Sequence, residues 1–230
     1  MIILEPGVTI VTGTGTDVGK TIVTAALAAT LEAAGRHPVL VKPAQTGLVA
    51  GAPGDVHEAA RLAGIPADRR HEFVRLPEPL APTTAARRAG ITPPTVAEHA
   101  TAIAALAEQH PTVLVEGAGG LRVGLDAAGD GLVELAAALG ARGHRPRFVV
   151  VARPDLGTLN VVRLTCDAIR DNGGTVAGVV IGSWPDEPDL AMTCNRAELA
   201  AAAGAPLLAV LPAGLGACTR VDFLERVSRA

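Results

Sequence analysis

Gly13-Thr14-Gly15-Thr16-Asp17-Val18-Gly19-Lys20-Thr21 is the stretch of this 230-residue chain whose residue types and spacing point most directly to a chemistry. A β-branched run, Val8 to Thr12, leads into it, and an apolar helical pattern from Ile22 to Leu27 follows. A glycine loop between a strand and a helix turns backbone N–H groups toward the helix N-terminus, where they hold phosphate oxygens. In that setting Gly15, Thr16, Asp17, Val18 and Gly19 form the cradle. Lys20 reaches the β and γ oxygens, and the Thr21 hydroxyl ligates Mg²⁺. The spacing departs from G-x-x-x-x-G-K-[ST], because position 14 is Thr and the leading Gly13 sits one residue earlier. Glycines at 13, 15 and 19 also imitate a dinucleotide-binding loop. That reading needs an acid closing the second strand to hold a ribose, and the second strand here ends in Lys42.

Ligands of open α/β sheets bind beyond the carboxyl ends of the strands, so polar residues following each apolar run should face one crevice. After the second run comes Lys42-Pro43-Ala44-Gln45-Thr46-Gly47, with Asp55 downstream at the start of a helical pattern. After the third comes Glu116-Gly117-Ala118-Gly119-Gly120, an acid closing an apolar run ahead of small residues that permit close approach of a ligand. Asp55 and Glu116 would complete a Mg²⁺ shell with Thr21, water and phosphate oxygens. Blander readings stand beside these. Asp55 after Gly54 suits a helix N-cap, and Lys42 suits a solvated strand end.

These side chains need a scaffold, and the chain supplies one. Short β-branched runs alternate with Ala/Leu-rich helical stretches, the pattern of βαβ crossovers around a mostly parallel sheet with helices on both faces. Strands are expected at Val8–Thr12, Pro38–Val41, Thr112–Val115, Phe148–Val151, Val176–Ile181 and Leu207–Leu211. Helices are expected near Lys20–Ala34, Asp55–Ala63, Val96–Gln109, Leu132–Leu139, Leu159–Asn172, Leu190–Ala203 and Val221–Val227. The Pro-rich stretch from Arg75 to Pro94 reads as the longest irregular segment, and a loop of that length in a compact domain is more often functional than idle. One α/β domain over residues 1–230 is expected.

Composition narrows the chemistry. Hydrophobic residues make up 49% and charged residues 19%, with mean hydropathy +0.35, so the signature of disorder is absent. Aromatics at 2% and a net charge of −3 leave neither a base-stacking surface nor a phosphate-backbone footprint, which argues against nucleic-acid binding. Cys166, Cys194 and Cys218 form no CxxC pair, and they suit a reducing, cytoplasmic setting. Six scattered histidines lack HExxH spacing, and the two serines, Ser183 and Ser228, lack a G-x-S-x-G elbow, so zinc and serine hydrolysis lose their raw material. No apolar run reaches 18 residues, and Met1-Ile2-Ile3-Leu4 opens without a basic leader, so neither export nor a membrane span is expected.

Taken in order along the chain, GTGTDVGKT, VKPAQTG with a downstream GD, VEGAGG, RPDLGTLN and GSWPDEP resemble the dethiobiotin synthetases, and the resemblance spans almost the whole chain. The five-residue gap between Gly13 and Gly19 belongs to that family's loop. The resemblance implies a single-domain P-loop NTPase fold, a homodimer, and the penultimate step of biotin synthesis. There 7,8-diaminopelargonate, CO₂ and ATP with Mg²⁺ give dethiobiotin, ADP and phosphate. It implies that Lys20 and Thr21 serve phosphate and Mg²⁺, and that Thr16 lies near phosphate and substrate. By the same match Lys42 bridges the substrate carbamate and the γ-phosphate, Thr46 supplies a hydroxyl at the diamine, and Asp55 and Glu116 are the acidic Mg²⁺ ligands. Gly117, Ala118 and Gly119 would line the diamine, and Leu156, Gly157 and Asn160 would reach the tail carboxylate of substrate bound to the neighbouring subunit.

At the nucleobase end the chain departs from the family's usual pattern: Gly182 stands where many members carry an Asn that reads adenine. Backbone around Gly182, Ser183, Pro212, Ala213 and Gly214 is then expected to hold the base of ATP or another NTP, with Trp184 as its cover or as an interface or core residue. A rival of another class is a partition-type ATPase switch acting through regulated protein association. Such proteins usually carry an extra lysine early in the loop, where Gly13 and Gly15 stand here, and often a basic amphipathic membrane helix. A second rival, an amide-forming ligase of cobalamin synthesis, normally adds a glutaminase domain for which 230 residues leave no room.

Overall fold

The β-branched runs fold as strands because both of their faces are covered. Val8 and Ile10 turn to one side of the sheet and Val11 to the other, each into its own apolar layer. The computed structural model describes residues 4–230, so the leader expectation, which rests on Met1-Ile2-Ile3, falls outside the described residues. The elements are β1 (Gly7–Gly13), α1 (Lys20–Ala33), β2 (Val39–Thr46), α2 (Asp55–Ala63), β3 (Arg70–Leu76), α3 (Pro82–Ala89), α4 (Val96–Gln109), β4 (Thr112–Glu116), α5 (Leu132–Gly140), β5 (Arg147–Ala152), α6 (Thr158–Asp171), β6 (Thr175–Trp184), α7 (Leu190–Ala203), β7 (Leu207–Pro212) and α8 (Arg220–Ser228).

Among the described residues the seven strands are all parallel, in the order β3-β2-β4-β1-β5-β6-β7. Helices α1, α2 and α8 cover one face with Leu27, Val56, Leu62 and Phe223. Helices α4, α5, α6 and α7 cover the other with Ile103, Leu135, Val162 and Leu199. From β1 the chain passes through α1 to β2 on one side of the sheet, and from β4 it crosses β1 through α5 to β5 on the other, so the strand order reverses beside the end of β1, the switch point of the sheet. Register sets the site there. Val11 lies opposite Glu116, and Gly13 opposite Val151, so the ends of β1, β4 and β5 share one level.

Two expectations are corrected. The second strand does not stop at Val41. It pairs with β4 only over Val39–Val41, then continues to Thr46 against β3, so Lys42 lies inside a strand. Pro43 is tolerated because it falls past the last pairing with β4. The segment from Arg75 to Pro94 is not one irregular stretch either. It contains the end of β3 and the whole of α3, which starts on Pro82 and stops at left-handed Gly90. β3 escapes a hydrophobic-run reading because it is an edge strand, Arg-His-Glu-Phe-Val-Arg-Leu, buried fully only at Leu76.

Candidate active site

The phosphate loop is shaped by residues that tolerate what other residues do not. A Cβ on Gly13 would lie 2.6 Å from Val18 Cγ2 and 3.3 Å from Lys20 Cδ, so glycine lets the loop fold back over the strand end. Gly19 has φ 95° and is the N-cap of α1, where its backbone meets that of Gly182. Asp17 also takes a left-handed conformation, φ 57°, which costs a non-glycine residue energy and is typical of functional turns. Lys20 Nζ donates to the carbonyl of Gly15 at 2.8 Å, folding the side chain back along the loop. Burial first, then the positive charge of Lys42, hold the Lys20 pKa below the ordinary lysine value.

Lys42 is the centre of the site's electrostatics. It is 2% exposed, and its ammonium donates to Glu116 Oε1 at 2.9 Å and to the Gly117 carbonyl at 3.0 Å, with Asp55 Oδ2 at 2.6 Å. Burial pushes the Lys42 pKa down, but Glu116 and Asp55 outweigh it and keep the group above the ordinary value. A solvated strand-end lysine is thereby excluded. Thr21 Oγ1 donates to the same Glu116 oxygen at 2.9 Å, while Glu116 Oε2 is buried without a hydrogen-bond partner. Asp55 is not the helix cap. Gly54 is, and the Asp55 N–H donates to Gln45 Oε1 at 2.8 Å while its carboxylate turns to Lys42.

Thr21, Asp55 and Glu116 form an all-oxygen donor set of the kind Mg²⁺ takes together with phosphate. Among the described residues no cluster of three or more His, Cys, Asp or Glu could hold a metal alone. A cation here would need the Thr21 hydroxyl and ligand oxygens, and the partnerless Glu116 Oε2 is suited to receive it.

These groups open into a cleft of about 900 Å³ that brings together Thr16, Asp17, Gly19, Lys20, Thr21, Lys42, Thr46, Asp55, Glu116, Ala118 and Gly119. Gly117 sits just behind it, offering its carbonyl to Lys42. Sequence reasoning placed Gln45 after the second strand without a role, and the structure shows it tying Asp55 to Thr46, while the wall from Pro79 to Pro82 falls in the Pro-rich segment expected to be functional.

The remaining expected residues lie elsewhere. Leu156 and Gly157, with Gly15, Thr16 and Val18, line a separate hollow of about 350 Å³ on the other side of the phosphate loop. Leu156 is 86% exposed, and Asn160 is exposed on α6 in a third hollow beside Arg163. Asn160 does not cap its helix, since the N-cap is Gly157, φ 94°, with no side-chain cap bond. Gly182 lies inside β6 and packs backbone to backbone on Val18 and Gly19, so it is a spacer of the phosphate loop with no room for a side chain. Ser183 is exposed beyond it, and Ala213 N–H donates to the Trp184 carbonyl at 2.7 Å, joining the Pro212-Ala213-Gly214 turn to β6. None of Leu156, Gly157, Asn160, Gly182, Ser183, Pro212, Ala213 and Gly214 lines the large cleft. Trp184 packs on the core, with the Arg196 guanidinium 5.2 Å from its ring centroid.

Comparison with known proteins agrees with this geometry. A family model described as an AAA domain matches residues 8–215. The ATP-dependent dethiobiotin synthetase BioD of Streptomyces avermitilis is 53% identical over 216 residues, covering 94% of this chain and 88% of that protein. The enzyme of that name from Saccharopolyspora erythraea is 54% identical over 210 residues, 91% and 89% of the two chains. Among solved structures, the cell division ATPase MinD of Pyrococcus furiosus superposes with TM-score 0.53 at 20% identity, covering 97% of this chain and 99% of its own. Chloroplast FtsY of Physcomitrella patens gives TM-score 0.53 at 17% identity, 98% and 66%. At those identities the two structures speak to the fold alone. A phosphate loop of this spacing, a buried Lys42 between two acids and identities near 50% over nine-tenths of the chain agree: the chain belongs to the ATP-dependent dethiobiotin synthetase family.

Proposed function

We propose that this protein is an ATP-dependent ligase of biotin synthesis that closes the cyclic urea of dethiobiotin on 7,8-diaminopelargonate with CO₂. The observation that carries the reading is the Lys42 ammonium, buried between Asp55 and Glu116 at the edge of a cleft that also holds Lys20 and Thr21. One amine of the substrate captures CO₂ as a carbamate and loses a proton. A carbamate oxygen then attacks the γ-phosphorus, ADP leaves, and a carbamic–phosphoric anhydride forms. The second amine attacks the carbamate carbon, and phosphate departs as the ring closes.

Phosphoryl transfer of this kind requires placement and charge stabilisation more than covalent help from the protein. Lys20 meets the β and γ oxygens, and Lys42 holds the carbamate against the γ-phosphate. Asp55 and Glu116 beside Lys42 hold its pKa above the ordinary lysine value, which suits it to serve as a positive charge at the transferring phosphoryl group. Thr16, Thr46 and Gly117 to Gly119 line the diamine. Thr21, Asp55 and Glu116 would hold Mg²⁺, which would supply charge neutralisation at the phosphate oxygens. The base lies against backbone at Ser183 and Pro212 to Gly214.

Leu156, Gly157 and Asn160 lie too far around the loop to line the large cleft of their own chain, and we assign them to the site of a second copy in a homodimer. Exposed Leu156, Val161 and Leu164 give that face an apolar surface for such a contact. The whole of residues 1–230 acts as one domain in this scheme. Among the described residues no helix is long and apolar enough to cross a membrane.

The test is phosphate release with bicarbonate, Mg²⁺ and ATP, with and without the diamine. Release that depends on the diamine and yields a cyclic urea is expected, and release indifferent to the diamine would favour a nucleotide-driven association switch. For the metal, Asp55→Asn and Glu116→Gln should each raise the Mg²⁺ concentration for half-maximal rate by about tenfold or more. Unchanged Mg²⁺ dependence removes both acids from the shell.

A further inference from the structure

Asn195 touches neither cleft, yet it is 6% exposed and spends both amide hydrogens on one short segment. Its Nδ2 donates to the Pro154 carbonyl at 2.8 Å and to the Asp155 carbonyl at 2.9 Å. The same segment is pinned from its other end. Thr158 Oγ1 donates to the Arg153 carbonyl at 2.7 Å, and Thr158 N–H to the Asp155 carbonyl at 3.1 Å. Three successive carbonyls, 153 to 155, are therefore held by side chains or backbone of α6 and α7. Such bonds restrain the segment that presents the next two residues, Leu156 outward and Gly157 left-handed.

The N-terminal end of the segment is held as well. Arg153 reaches from it and donates through one guanidinium nitrogen to the Thr16 carbonyl at 3.1 Å, with the Asp17 carbonyl at 3.5 Å. Those carbonyls belong to the turn in which Asp17 adopts φ 57°. Holding these carbonyls restrains the peptide units of the loop whose N–H groups would cradle a phosphate.

We propose that Asn195 and Arg153 are positioning residues which tie the β5–α6 segment to the phosphate loop, so that the two segments are ordered together. For its substrate side the inference rests on the function proposed above, since Leu156 and Gly157 are there assigned to the diamine tail. Its nucleotide side stands without that assignment. Preorganisation of this sort shows in binding more than in chemistry, because an ordered loop loses less freedom when a ligand arrives.

The experiment measures ATP binding by calorimetry for wild type, Asn195→Asp, Arg153→Met and the double variant, with no diamine present. Asn195→Asp keeps the side-chain volume and replaces two donors by acceptors facing two carbonyls. Each single variant should weaken ATP about five- to tenfold, and the double should be no weaker than the worse single, because both break one linkage. Wild-type ATP affinity in Asn195→Asp, or losses that multiply in the double, would overturn the proposal. If Asn195→Asp does not fold, Asn195→Ala replaces it in the same cycle, and Arg153→Met, on the surface, must by itself weaken ATP. Diamine kinetics then separate the two readings. With wild type active, Asn195→Asp should raise the diamine KM about tenfold with kcat within about twofold. An unchanged KM overturns the substrate side of this inference, whereas a wild type without diamine-dependent turnover overturns the proposed function and leaves the ATP result standing.

Discussion

Gly182 of β6 and Val18 of the phosphate loop are packed so closely that any Cβ at 182 would penetrate the Val18 carbonyl oxygen and approach Val151 Cγ1 to 2.9 Å. From the other side, a Cβ on Gly19 would meet the Gly182 carbonyl at 2.8 Å. Gly182, at the position where the family resemblance leads one to expect an Asn in many members, is thus a condition for the loop's position in this chain. Gly182→Asn should fail to install adenine selectivity. It should push the loop off β6, with ATP affinity falling at least about tenfold and stability by about 1–3 kcal/mol. Calorimetry with ATP and CTP together with urea unfolding checks this, and tighter ATP binding by the variant would contradict the packing argument.

The two lysines of the cleft should separate cleanly. Lys20 is held below its ordinary pKa by burial, so its charge is a burden on the fold at neutral pH, relieved only as pH rises through the lowered value. Lys20→Met should lose turnover at least about a hundredfold and keep or raise the melting temperature. Lys42 is held above its ordinary value by Glu116 and Asp55, so its stabilisation is fully present below pH about 10.4 and is lost only as pH rises through the folded value. Lys42→Met leaves fully buried Glu116 without its counter-charge and should cost about 3–5 kcal/mol. Denaturant melts of both variants at neutral pH decide the matter, and equal stabilities would refute it.

Much of this contrast was legible in the sequence, and the reasons are local. Lys20 and Thr21 sit in a loop whose glycine spacing is itself the signal, and Glu116 closes an apolar run that could only be a buried strand. Asp55 was legible only as one of two readings, because a carboxylate after glycine at a helix start serves equally as a cap or as a ligand until Gln45 is seen holding its N–H. β3 was hidden by its charges, which an edge strand needs and a hydrophobic pattern cannot show. Asn195 and Arg153 were invisible for another reason: they act on backbone carbonyls 41 and 137 residues away, and no motif records a contact of that span.

His99 adds an acid limb to stability. It lies in α4, 1% exposed and stacked on Phe73 at 5.7 Å between centroids, and neither ring nitrogen has a partner. Burial lowers its pKa, only partly offset by the charges of Asp126 and Glu98. The unfolded chain therefore takes up the proton first, and stability should fall as pH drops below about 6.5 and level off below the folded value. His71, lowered by burial and by His110, adds in the same direction. Urea midpoints between pH 7.5 and 5 should decline in wild type and flatten in His99→Leu, and an identical slope in the two would assign the acid limb elsewhere.

The assembly prediction uses the position of Asn160, exposed on α6 and outside the cleft that contains Lys20. If Asn160 serves the neighbouring chain's site, a Lys20→Met chain and an Asn160→Asp chain carry complementary defects. The Asp is chosen because it sets like charge against a substrate carboxylate at nearly unchanged volume, so its effect should be a raised diamine KM. Assayed at diamine well below that KM, each chain alone should be nearly inactive. After mixing and exchange, a heterodimer has one site with both residues intact and one with neither. Random pairing of equal amounts then restores about a quarter of wild-type sites. Capping of its own helix, the competing role for Asn160, is already at odds with the Gly157 N-cap, and it predicts no rescue at all. Rescue near a quarter, rising with the time allowed for exchange and abolished when one chain carries both substitutions, is the expected result. Activity equal to the sum of the separate chains would place Asn160 outside the site and leave the proposed homodimer without a catalytic role.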